Sequence, residues 1–278
     1  MNIKKVVVIG SGTMGSGIAA QVANAGIDVT LLDLPSKEGS RNQITENAKE
    51  KILKSRPPLL VEKEKANLIT TGNIEDDFKE VEQADWVVEA VVERIDIKHN
   101  IYSKIQAVRK NESIISSNTS TIPLKILSAN MSDDMKKNFC ITHFFNPVRY
   151  MSLLEIVTEP INDVKKINSL KAFCDEQLGK GVIICNDTPG FIGNRIGVYA
   201  MQVAMTEAFK MKISIEEADA VFGRPMGIPK TGVFGLYDLI GIDLMADVLK
   251  SFLRELPKSD IFHEVAQETS LVKNLIDT

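Results

Sequence analysis

The stretch KKVVVIGSGTMGSGIAAQVANAGIDVTLLDL, residues 4–34, constrains the fold of this chain more than any other. A short β-branched run leads into a glycine turn. A small-residue helical pattern follows, and a second apolar run closes the unit. Gly10, Gly12 and Gly15 form G-x-G-x-x-G, and Asp33 ends the second run eighteen residues past Gly15. That context makes the motif informative. Gly10 permits a tight turn, Gly12 lets backbone approach a pyrophosphate, and Gly15 lets the helix lie close on the strand. The turn GSGTMG, including Thr13 and Met14, aims the amides of a helix N-terminus at phosphates. A carboxylate at Asp33 accepts hydrogen bonds from a ribose 2′-hydroxyl and repels a 2′-phosphate, so it favours NAD over NADP. Flavin proteins share the fingerprint, but no second dinucleotide motif follows.

Further apolar runs, NLITTG, ADWVVEAVV, ESIISSN, NFCITHFF, SLLEIVT and GVIICN, recur with helical patterns between most of them. Strands alternating with helices imply right-handed crossovers and a doubly wound, mostly parallel sheet. Beyond Asp187 only helical periodicity remains. The expected organisation is therefore a Rossmann-type α/β domain over residues 1–186 and a smaller all-helical domain over 187–278.

With 278 residues, 44% hydrophobic, 25% charged and a net charge of −4, the chain reads as an ordinary globular protein. No basic field points to nucleic acid or an anionic membrane. Three isolated cysteines imply a reducing compartment and no metal site. No secretory signal or spanning segment is evident, so the expected location is cytoplasmic.

Only three histidines occur, and His143 stands at the end of an apolar run, before FFNPV. It reads either as a core histidine or as a base. Twelve residues later Glu155 lies between Leu154 and Ile156, where an unpaired carboxylate is costly to bury. The two make a plausible pair on adjacent strands, although Glu155 reads equally as an edge residue facing solvent. His99 and His263 lie in polar helical stretches and read as surface residues.

GSGTMGSGIA, EAVVERIDIK, SSNTSTI, HFFNPV, LLEIV and DTPGFIGNRI follow one another in an order that resembles the L-3-hydroxyacyl-CoA dehydrogenase family of fatty-acid β-oxidation. The resemblance implies His143 as catalytic base and Glu155 as its orienting partner. It places Ser120 beside the substrate hydroxyl and the nicotinamide, and Asn194 at the reacting group, reaching from the helical domain. Asn146 would support the histidine region, and Glu93 and Lys98 would sit beside the cofactor. The bland alternatives are a solvated helix start for Glu93 and Lys98 and a helix cap for Ser120. Lysines of ENAKEKILK are candidates to meet the phosphates of an acyl-CoA substrate, although each taken singly reads first as part of a solvated charged face. The long turn GRPMGIPKTGVFGLYDLIGID resembles that of large multifunctional β-oxidation proteins, in which a hydratase part joins the dehydrogenase. The closing LVKNLIDT lacks the family's usual C-terminal segment, so a missing C-terminal or hydratase part is expected. Apolar helices beyond Thr188 imply a homodimer. The rival readings are a dehydrogenase of another β-hydroxy acid and a non-catalytic remnant binding NAD or CoA.

Overall fold

The computed structural model describes residues 2–228 and 230–266, and the closing LVKNLIDT lies outside them. The chain divides into two compact units, residues 1–188 and 189–278.

The first unit is built on eight strands. They are β1 (Lys5–Ile9), β2 (Asp28–Asp33), β3 (Ile69–Asn73), β4 (Trp86–Glu89), β5 (Ile114–Ser117), β6 (Phe139–Phe144), β7 (Leu153–Val157) and β8 (Gly181–Cys185). They lie in the order β3-β2-β1-β4-β5-β6-β7-β8. Every pairing is parallel except β6 with β7, which run antiparallel. The helices between them are α1 (Thr13–Asn24), α2 (Gln43–Lys54), α3 (Ile95–Val108), the short α4 (Leu124–Leu127) and α5 (Asp133–Lys137), and α6 (Val164–Glu176). Helix α2 starts at Gln43, after the loop that SKEGS forms.

Near-continuous apolar strands mark a sheet covered on both faces. On one face Val6, Val8, Leu31, Val88 and Ile156 join residues of α1, α2 and α6 in a single core. On the other, Tyr102 of α3 packs edge-on against Phe139. The only tryptophan, Trp86, is fully buried and donates to Ser116 Oγ at 2.9 Å, which lies 2.8 Å from Thr142 Oγ1. Strand order reverses between β1 and β4, which places a crevice outside the carboxyl ends of those strands, the usual ligand site of such sheets.

The second unit holds α7 (Gly193–Met211), α8 (Ile215–Val221), α9 (Phe234–Ile240), α10 (Ile242–Glu255) and α11 (Phe262–Val265). Its core is formed by Val198, Met201, Met205, Tyr237, Phe252 and Phe262 among others. The long turn before α9 is fastened by Asp219, whose carboxylate accepts from Phe234 N at 2.7 Å and Gly235 N at 2.9 Å. This caps the helix and sets a negative charge at its positive end. No helix among the described residues is long and apolar enough to cross a membrane.

Candidate active site

At the β1–α1 turn the three glycines do different work. Gly10 has φ +103, and a Cβ there would stand 2.5 Å from Ala90 O at the end of β4. A Cβ on Gly15 would stand 1.8 Å from Gly10 O. Both glycines are dictated by the protein's own packing. Gly12 differs, because a Cβ there meets nothing within 4 Å. The fold gives no reason for glycine at that position, so the reason lies in what approaches the backbone from outside. That is what a pyrophosphate above the N-terminus of α1 requires, and the residues present fit a dinucleotide. Thr13 and Met14 open α1, with Thr13 exposed and Met14 half-buried.

Asp33 ends β2 beside this turn and is already engaged. Its Oδ2 accepts from Ser11 N at 2.6 Å and Ser11 Oγ at 2.7 Å, and Oδ1 accepts from Leu34 N at 2.7 Å. The carboxylate thus shapes the glycine turn.

Across the crevice, β6 and β7 place His143 directly opposite Glu155 in the antiparallel register. Glu155 is fully buried and His143 is 5% exposed. His143 Nδ1 lies 2.7 Å from Glu155 Oε2, and Cys185 Sγ at the end of β8 lies 3.8 Å from Glu155 Oε1. Burial first, and then the carboxylate beside it, push the Cys185 thiol up to about 12. The thiol therefore stays protonated and adds no second negative charge. Phe145 covers the imidazole, with ring centroids 4.5 Å apart.

A cavity of about 340 Å³ opens over this pair. Of the residues the sequence singled out, Met14, Glu93, Ser120, His143 and Asn146 line it, and Glu155 stands behind His143. Ser120 follows β5 and is not a helix cap, since Pro123 occupies that position of α4. Asn146 is exposed at the rim. Asn194 is the second residue of α7, in the other unit.

Glu93 ties the loop after β5 in place. Its Oε1 accepts from Thr119 Oγ1, from Thr121 Oγ1 at 3.1 Å and from Ser120 N at 3.3 Å. Burial pushes its carboxyl up, but the Lys98 charge and these hydrogen bonds outweigh that and hold it below the usual range. Lys98 does not lie on a solvated face. It is 1% exposed, with Nζ 2.7 Å from Glu89 Oε1 and 3.2 Å from Glu93 Oε2. A fully buried lysine on α3 is tolerable only with such partners.

Sequence reasoning passed over Glu89 and Asn118. Glu89 is wholly buried and accepts from Val91 N at 2.8 Å, Lys98 Nζ, Tyr102 OH at 2.5 Å and Ser117 Oγ at 2.7 Å. Burial and the Glu89 charge push the Tyr102 phenol well above its ordinary value, so it remains a donor. The signal was present, an acid inside the apolar run WVVEAVV, and it is the same signal that singled out Glu155. Asn118 lines the cavity and accepts from Phe144 N at 3.0 Å, fixing the residue after His143. His99 and His263, expected on the surface, are each half-buried and within hydrogen-bond reach of a carbonyl, Ile126 O at 2.9 Å and Leu256 O at 3.3 Å.

A glycine cradle at the switch point of a doubly wound sheet, facing a histidine–carboxylate pair, defines a dinucleotide-binding protein of the dehydrogenase type. Residues 5–188 match the 3-hydroxyacyl-CoA dehydrogenase NAD-binding domain and residues 190–277 match the C-terminal domain of the same family. The chain belongs to the 3-hydroxyacyl-CoA dehydrogenase family. It is 44% identical over 276 residues to a putative fatty acid oxidation complex trifunctional enzyme of Rickettsia felis, covering 99% of this chain and 38% of that protein. It is 42% identical over 250 residues to a probable 3-hydroxyacyl-CoA dehydrogenase of Deinococcus radiodurans, covering 89% of this chain and 72% of the relative. Among solved structures, (S)-3-hydroxybutyryl-CoA dehydrogenase from Ralstonia eutropha is similar with a TM-score of 0.79 and 28% identity, over 99% of this chain and 94% of that one. The chain spans 38% of the length of the Rickettsia felis relative and of a second putative trifunctional enzyme, from Rickettsia prowazekii.

Proposed function

We propose that this chain oxidises an L-3-hydroxyacyl-CoA to the 3-ketoacyl-CoA with NAD, as a step of fatty-acid oxidation. The observation that carries the proposal is the His143–Glu155 pair, held on opposed strands beneath the cavity that Ser120 shares. In the forward direction His143 Nε2 takes the proton of the 3-hydroxyl, with Nδ1 oriented by Glu155. The carboxylate holds the tautomer and stabilises the imidazolium that forms. Ser120 fixes the substrate oxygen, the family resemblance assigns a further contact with the reacting group to Asn194, and Asn146 supports the histidine segment. Bound NAD supplies the hydride acceptor. The turn from Gly10 to Gly15 would hold its pyrophosphate, Asp33 would meet its adenosine ribose, and Glu93, backed by the buried Lys98, would sit beside the cofactor. Phe145 shields part of the imidazole from solvent.

The test is consumption of NADH with acetoacetyl-CoA. Turnover supports the reading. NADH binding without turnover identifies a binding remnant, and turnover confined to free β-hydroxy acids identifies the rival dehydrogenase.

The proposal extends to assembly as a homodimer through the helical unit. Ile196, Met211, Val221, Leu239 and Ile261 of that unit are each more than half exposed, and exposed apolar surface of this kind marks interfaces. A mass by light scattering that stays at the 30.7 kDa of one chain on concentrating the sample would refute it.

A further inference from the structure

The sequence GSGTMGSG carries a fourth glycine, Gly17, that no phosphate-binding role explains. It lies one turn inside α1 and is buried. A glycine inside a helix costs stability relative to alanine, so it needs a reason. The reason is Val148. A Cβ on Gly17 would stand 2.8 Å from Val148 Cγ2 and 3.1 Å from Val148 Cβ. Val148 is 1% exposed and sits in the segment that leaves β6 after His143, the segment carrying Phe145 and Asn146.

The same segment is held from two other sides. Lys180, at the entrance to β8, is 2% exposed and donates through Nζ to Val148 O and, at 2.8 Å, to Met151 O. Arg149 Nη1 donates to Pro58 O and Leu60 O, each at 2.8 Å, and Tyr150 OH donates to Pro58 O at 2.8 Å. Burying an ammonium is costly, and here carbonyl oxygens of one short segment receive it. A methionine of similar length would fill the space without holding either carbonyl.

We propose that Gly17, Val148 and Lys180 are positioning residues that latch the His143 segment to the dinucleotide helix. The latch sets the distance between the base and the cofactor. The base and the hydride acceptor stand on different elements, and the reaction needs both at one carbon centre. At Gly17 the helix and that segment lie too close to admit a Cβ. Helix α1 is fixed by Gly15 against Gly10 and by the fully buried Ile18, Ala19 and Val22. When a methyl is placed between the two, the segment yields and the helix stays. A displacement near 1 Å in such a constellation lowers turnover on the order of 100-fold.

This inference rests on the dehydrogenase reading, so its test has one arm independent of turnover. Hydrogen exchange of the amides of residues 144–152 is measured by mass spectrometry in the full chain, together with kcat for acetoacetyl-CoA and the Kd for NADH. Gly17→Ala raises exchange in that segment and lowers kcat on the order of 10- to 100-fold, with the NADH Kd unchanged. Gly17→Ala combined with Val148→Ala, which makes room for the methyl, returns both readouts toward wild type. Lys180→Met reproduces the loss without touching α1 and decides the matter if Gly17→Ala does not fold. Wild-type exchange in Gly17→Ala and Lys180→Met overturns the latch. Raised exchange with undiminished kcat, or a kcat loss in Gly17→Ala that Val148→Ala does not relieve, overturns its positioning role. An inactive wild type counts against the dehydrogenase reading alone, and the exchange arm still decides whether the latch exists.

Discussion

The two sides of the crevice place opposite demands on the sequence. On the β1–α1–β2 side the work is done by backbone, and the sequence requirement is what must be missing. Gly10 and Gly15 have no room for a Cβ, and Gly12 has room that the protein leaves clear. On the β6–β7 side the work is done by two side chains, and the requirement is what must be present at paired positions, His143 against Glu155. Backbone recognition spends glycines and tolerates change around them. Side-chain chemistry depends on register, where a one-residue slip would turn both groups to the other face. Substitutions on the first side should therefore alter folding or cofactor affinity, and those on the second should alter rate.

The sharpest break of that contrast would come at His143. Replacing it with Gln should lower kcat by roughly 10²–10⁴-fold, the usual loss of a general base, with NADH affinity unchanged. Glu155→Gln should fall in the same range, because the imidazolium loses its counter-charge. Steady-state kinetics beside fluorescence titration of NADH separates the two quantities. A His143 variant that turns over normally and binds NADH poorly would reverse the assignment of the two sides.

Within the glycine turn, two substitutions three residues apart should part company. Gly15→Ala puts a carbon 1.8 Å from Gly10 O, a backbone clash that cannot relax cheaply. It should destabilise the chain by about 1–3 kcal/mol, read as a lower Tm. Gly12→Ala meets no protein atom and should keep the wild-type Tm, yet weaken NADH on the order of tenfold, about 1.4 kcal/mol. Equal Tm losses in the two variants would mean that Gly12 serves the fold and not a ligand.

Much of this was legible in advance, for physical reasons tied to particular residues. Buried parallel strands must be apolar on both faces, so VVVI, WVV and II announce themselves, and a charged residue inside such a run is conspicuous. Glu155 stood out in that way, and Glu89 carried the same signal. Lys98 was harder to read. EAVVERIDIK looks like a solvated helix start because local pattern cannot show that Glu89 of β4 takes the Lys98 ammonium, the same carboxylate being held by Ser117 of β5 and by Tyr102 one turn further along α3. The Asp219 cap of α9 and the Gly17–Val148 contact were hidden for a related reason. Each joins residues distant in sequence through the tertiary fold, and neither partner is unusual in its own neighbourhood.

The smallest effect expected lies at Glu93, which borders both sides of the crevice. Its carboxyl is held below the usual range in the fold despite burial, chiefly by Lys98 and then by the hydroxyls of Thr119 and Thr121. A depressed carboxyl stabilises the folded state above its unfolded value, near 4.5. That contribution fades as pH falls through the lower folded value. The Glu93 side chain is 38% exposed, so solvent screens the pair and the contribution is at most about 1 kcal/mol. Between about pH 5 and pH 3 the wild type should therefore lose Tm more steeply than Glu93→Gln, while the two differ by a constant amount near neutrality. The segment freed on protonation is Thr119–Thr121, so exchange at the Ser120 amide should rise over the same interval and the glycine turn should be unaffected. Parallel Tm curves for the two proteins would show that the carboxylate gains nothing from its charge, and that Lys98 is balanced by Glu89 alone.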